Sequence, residues 1–94
     1  MPGPVAARVI VSGRVQGVGF RAGTRERARA EGLAGWVRNA ADGSVHALLQ
    51  GEAASVATVL EWIRLGGPPG GRVDSIEHQD VRVDEGISGF DVVR

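Results

Sequence analysis

Between Val5 and Gly13 apolar and polar residues alternate, with Val5, Ala7, Val9 and Val11 on one side and Arg8 and Ser12 on the other. A period of two predicts a half-buried strand. A glycine-rich turn follows, GRVQGVGFR from Gly13 to Arg21, and then RAGTRERARAE over 21–31. That segment is rich in helix formers and meets a natural stop at Gly32. Small residues such as Ala28 on its buried side would let the helix approach a sheet closely. LAGWVRNAADGSVHALLQG, residues 33–51, predicts a hairpin, with extended runs Trp36–Asn39 and Val45–Gln50 about a tight Asp42-Gly43 turn. From Ala53 the period changes, and Val56, Val59, Leu60 and Ile63 fall on one helical face. Ser55 is the expected N-cap, and GGPPGG at 66–71 ends the helix. A long strand over 73–83, the turn EGISG and a short strand over 90–93 complete the chain.

The order strand, helix, strand, strand, helix, strand predicts an α+β fold. It is the ferredoxin-like split βαβ sandwich (βαββαβ), a mainly antiparallel sheet with two helices on one face. At 94 residues the chain is expected to be a single domain, 1–94, with one core.

Composition narrows the chemistry. With no cysteine, a disulfide framework, a thiolate metal site and a cysteine nucleophile are all excluded. His46 and His78 stand apart, without spaced carboxylates, and are expected at exposed strand or loop positions, so no metal and no cofactor is predicted. Eleven basic and eleven acidic residues cancel, which argues against a nucleic-acid partner. Every basic residue is arginine, so each cationic contact with a phosphate would be forked and planar. The start MPGPVAARVIVSG has no cationic segment before an apolar core, and no run approaches a membrane span. A soluble, cytoplasmic monomer without membrane contact is expected.

The glycine loop carries the candidate site. A bare turn from a strand into a helix presents free N–H groups at the positive end of the helix, a nest for an anion such as phosphate. Gly13, Gly17 and Gly19 would let the backbone close on a tetrahedral anion, and Arg21 could take two of its oxygens. Taken alone, such a loop is also explained as a sharp turn with a solvated arginine. The phosphate loop of nucleotide triphosphatases needs a lysine, and the chain has none. The 17–22 segment fits G-x-G-x-x-A with Asp42 about 20 residues on. Here, however, the acid lies in a hairpin turn and the chain is too short for a doubly wound sheet.

GRVQGVGFR and GWVRNAADGSVHALLQG (35–51), with GLAG between them and GPPGGRVDSIE and a GF pair later, resemble the acylphosphatase family over nearly the whole chain. The resemblance implies a metal-free hydrolase acting on small carboxyl-phosphate mixed anhydrides such as acetyl, carbamoyl or benzoyl phosphate. It implies that Gln16, Gly17, Val18, Gly19 and Phe20 form the phosphate cradle with Arg21, and that Asn39 positions the attacking water. Read by itself, Asn39 is a polar residue ending a strand before a turn. Strand parity sets Asn39 with Val37 on one face and Trp36 with Arg38 on the other, which leaves Arg38 solvated or at the rim. Trp36 and Trp62 are expected to serve packing.

The sequence departs from the family where aromatic residues often follow the loop arginine, carrying Ala22-Gly23, and it stops at Arg94 where many members end on an aromatic. Three other readings compete with this one. RNA-recognition domains share the element order, but the first and third strands here lack their aromatic residues. A catalytically silent regulatory or anion-binding domain of the same fold is opposed by the intact Arg21 and Asn39. Similar domains also occur fused to larger carbamoyl-phosphate-using maturation proteins, against which the free-standing form is expected.

Overall fold

The alternating run forms the ten-residue strand β1, Val5–Arg14, in the computed structural model, which describes residues 3–94. It is followed by α1 (Phe20–Ala30), β2 (Ala34–Asn39), β3 (Val45–Gly51), α2 (Ala53–Arg64), β4 (Arg72–Val81) and β5 (Phe90–Val92). The sheet order is β4-β1-β3-β2-β5, antiparallel except for the β2–β5 pair. This is the α+β, ferredoxin-like arrangement that the element order predicts.

Period-two alternation separates the two faces of the sheet. Val9, Ala47 and Val37 are register partners across three strands, and all are buried beneath the helices. The adjacent row, Ile10, His46 and Arg38, is only half-buried on the open face. Helix α1 buries Phe20, Thr24 and Ala28 at four-residue intervals, and α2 buries Val56, Val59 and Ile63. Each large apolar side chain buried in this way contributes about 1.5–3 kcal/mol. Thr24 is fully buried, and its hydroxyl donates to the Phe20 carbonyl at 2.8 Å, so no polar group is orphaned there. Among the described residues no helix is long and apolar enough to cross a membrane.

Helix α2 begins earlier than expected. Its N-cap is Glu52, in extended conformation and without a side-chain cap bond, and Ser55 lies inside the first turn. Ala53 and Ala54 are strong helix formers, so the helix extends past the serine to the end of β3. Strand β4 stops at Val81, two residues short of the expected end.

One feature of the register governs the functional end of the molecule. Val45, the first residue of β3, pairs with Val11 of β1 on one side and with Asn39 of β2 on the other. Since β1 and β2 both run antiparallel to β3, they run parallel to each other with β3 between them. Their C-terminal ends therefore lie at the same end of the sheet.

Candidate functional site

The loop from β1 to α1 is pinned at alternate positions. Val15 is buried and Val18 packs partly against the core, while Gly17 and Gly19 are exposed. Gly17 and Gly19 adopt φ of 79° and 76°, the left-handed region, which costs an L side chain roughly 1–2 kcal/mol. A Cβ at either position would meet nothing within 4 Å. These glycines are required by the path of the backbone, not by lack of room.

Gly13 differs from them. It sits where the β1–β4 register shifts after Ser12, and a Cβ there would collide with the Arg72 carbonyl. Its bareness serves the joint between two strands, so the expectation that Gly13 helps the loop close on an anion is replaced by this role.

Gly19 caps α1 without a side-chain bond, and the first N–H to find an acceptor in the helix is that of Gly23, which donates to the Gly19 carbonyl at 2.9 Å. The N–H groups of Phe20, Arg21 and Ala22 therefore point out of the helix start, together with the positive end of its dipole. Among the described residues, no protein acceptor receives the N–H of Gly17, Val18 or Gly19. Phe20 is fixed in the core, its ring 6.1 Å from that of Trp62 and tilted by 41°. With Phe20 locked inward, the next side chain, Arg21, is turned toward the cleft.

Asn39 reaches the same cleft from the end of β2. Its Oδ1 is shielded from solvent and receives no hydrogen bond from the protein. The two halves of the site are tied by Gln16, whose Nε2 donates to the carbonyls of Ala40 at 2.9 Å and Ser44 at 3.0 Å. The hairpin turn is further fixed by Asp42, whose Oδ1 accepts from the Ser44 hydroxyl at 2.6 Å and from the Ser44 N–H at 3.0 Å. These bonds, the hydroxyl first, hold the Asp42 carboxyl below its ordinary pKa of 3.8. Desolvation opposes them in part, and His46 adds a smaller pull in their direction.

The resulting cleft has a volume of about 270 Å³ and is lined by Gly17, Gly19, Phe20, Arg21 and Asn39, all expected from the sequence. Gln16 and Val18 do not line it: the first turns its side chain to the hairpin and the second to the core. Val15, Ala22, Arg25 and Val92 also form its wall, and sequence reasoning missed all four. Arg25 could have been found from its i+4 spacing to Arg21, whereas Val92 arrives from β5 without any local signal. Arg38 stacks 5.8 Å from the Trp36 ring on the open face and lies 3.4 Å from His46 Nδ1, away from the cleft. Among the described residues, no three His, Asp or Glu side chains come together as a metal site.

Fold and cleft together define a small α+β protein with a cationic, amide-lined recess at the head of its first helix. A family model described as acylphosphatase matches residues 7–92. An acylphosphatase of Rubrobacter xylanophilus is 49% identical over 85 residues, covering 90% of this chain and 76% of that protein. An acylphosphatase structure from Coxiella burnetii superposes with a TM-score of 0.91 at 35% identity, covering 97% of this chain and 94% of that one. Full-length HypF, solved in a phosphate- and nucleotide-bound form, matches with a TM-score of 0.88 at 26% identity, over all of this chain but 12% of its own. The chain belongs to the acylphosphatase family and is an enzyme of that family.

Proposed function

We propose that this chain, acting as one domain, hydrolyses the carboxyl–phosphate bond of small acyl phosphates to a carboxylate and inorganic phosphate without a metal. The observation that carries the reading is the orphaned Asn39 carbonyl in the same cleft as Arg21 and the unpaired loop N–H groups. A buried acceptor without a donor costs about 1–3 kcal/mol. In the proposed reaction the attacking water supplies the donor that the protein does not give this oxygen.

In this mechanism the phosphate lies against the N–H groups of 17–20 and the start of α1, with the Arg21 guanidinium bridging two of its oxygens. Asn39 accepts one hydrogen of the water and aims its lone pair at phosphorus, in line with the acyl oxygen. The new P–O bond forms as the P–O bond to the acyl group breaks, and the departing oxygen leaves as a carboxylate. The water's proton passes to a phosphate oxygen. An amide has no useful proton affinity, and the carboxylate is stable when it departs, so neither a general base nor a general acid is needed. Catalysis comes from positioning and from donors aimed at the charge that develops on the equatorial oxygens.

The test is hydrolysis of benzoyl phosphate, followed by ultraviolet absorbance in the presence of a chelator, with the reaction repeated in oxygen-18 water. Expected are turnover that survives chelation, label in the phosphate, and a loss of roughly a hundred- to a thousandfold in kcat for Arg21→Ala and for Asn39→Ala. Label in the benzoate would contradict attack at phosphorus. A folded protein without turnover would leave the loop as an anion-binding feature only.

A further inference from the structure

Arg25 lies in the cleft without an assigned part. It is half-buried, follows Arg21 by four residues, and lines the same wall of α1. Among the described residues neither arginine has a side-chain hydrogen bond or ion pair. The paired arginines are Arg29 with Asp91, Arg64 with Glu61 and Arg72 with Asp74, and the cleft lining contains no carboxylate. Asp91, on the strand that brings Val92 to the cleft, is engaged by Arg29 at 3.4 Å. Like charges four apart on a helix repel, so two uncompensated guanidiniums in one recess suit an occupant with more than one centre of negative charge.

The rest of the lining gives that occupant an orientation. The loop amides, Arg21 and Asn39 form a polar end at the start of α1. Val15, Phe20, Ala22 and Val92 form apolar wall. Arg25 stands one helical turn, roughly 5.4 Å, farther along α1. The volume of about 270 Å³ is near the lower end of the ~300–1,000 Å³ common for small-molecule sites, which leaves space for an acyl group beside a phosphate.

We propose that Arg25 is a specificity-determining residue that recognises a second anionic group at the far end of the acyl portion, so that the preferred substrates are acyl phosphates with a distal carboxylate or phosphate. The inference rests on the hydrolysis proposed above. The phosphate binds at the loop, the acyl body runs along the apolar wall, and the guanidinium of Arg25 forks onto the distal anion.

Three probes separate charge from size: benzoyl phosphate, 4-carbamoylbenzoyl phosphate and 4-carboxybenzoyl phosphate. The last two are nearly isosteric, and a para carboxylate cannot reach its own anhydride carbon. The wild-type protein is expected to favour the carboxylate over the amide by roughly tenfold or more in kcat/KM, the scale of one charge-assisted hydrogen bond. The preference should reside mainly in KM and shrink with salt. In Arg25→Gln, which keeps a good helix former, the ratio should fall toward one, and Arg25→Lys should retain part of it. A wild-type ratio near one overturns the assignment, as does a ratio that survives in Arg25→Gln. Turnover of all three probes without charge preference sinks this assignment alone, whereas absence of turnover with benzoyl phosphate sinks the hydrolysis reading and this one together.

Discussion

Replacing Gln16 with methionine would remove a single donor from the joint between the two halves of the cleft. Gln16 Nε2 makes two hydrogen bonds, to the carbonyls of Ala40 and Ser44, each contributing about 1 kcal/mol net. Neither carbonyl would be left bare. The Ala40 oxygen still accepts from the Gly43 N–H at 3.1 Å, and the Ser44 oxygen from the Ala40 N–H at 2.8 Å. No orphan penalty is added, so Gln16→Met should lose about 1–2 kcal/mol. For a domain of this size that corresponds to a fall in Tm of roughly 4–16 °C. The kinetic effect should be larger than the stability loss suggests, because Ala40 directly follows Asn39, and misplacement of a positioning group by about 1 Å can cost a hundredfold. Urea unfolding gives the first quantity and steady-state hydrolysis of benzoyl phosphate the second, with kcat falling more than KM rises. If the methionine variant matched the wild type in both, Gln16 would be an incidental surface contact. Lost stability with kcat intact would mean that the joint holds the fold without aligning the site.

Two further outcomes follow from the same structure. Gly23→Ala should fail to stabilise the protein, although alanine in a helix interior gains about 1 kcal/mol over glycine, because the added Cβ would stand 3.2 Å from Trp62 Cη2; urea midpoints that rose by the full propensity gain would show that the indole yields freely. Because the folded Asp42 carboxyl is held below 3.8, its contribution to stability is fully present above that value and is lost as pH falls through the lower folded pKa. Asp42→Ala should therefore flatten the acid limb of the stability curve, and an Asp42 carboxyl titrating by NMR at or above 3.8 would refute the turn's role.

The period-two and helical-period segments carried most of the fold in plain view, because one buried face imposes a repeat on β1, β2, β3 and α2 alike. The start of α2 escaped because a serine signal competed with two alanines, and helix propensity prevailed over capping. Asn39 and Arg21 were legible through two motifs, each tied to a local turn. Gly23 looks like a cost in the sequence alone and becomes intelligible only when Trp62 is seen against it. Arg25, Val15, Ala22 and Val92 went unnoticed for a related reason. A cleft wall is assembled by packing between elements, and no local pattern in β5 states that its parallel partner will be β2. The same limit explains Gly13, where the tertiary neighbour, Arg72, gives the glycine a different purpose from that of Gly17 and Gly19.

The register row Val11–Val45–Asn39 makes this protein its own folding clock. The loop that leads from the end of β1 to Arg21 and the end of β2 that carries Asn39 meet only after β3 has inserted between β1 and β2, with pairings as distant in sequence as Val5 and Gly51. Helices and the local β2–β3 hairpin form early and report nothing about this step, while closing such long-range pairs is the slow part of building a sheet. During refolding, returning turnover therefore marks the moment the central strand locks, later than the return of helical signal. A variant in which β2 paired with β3 one residue out of register would be silent, since such a slip sends Asn39 of β2 to the opposite face.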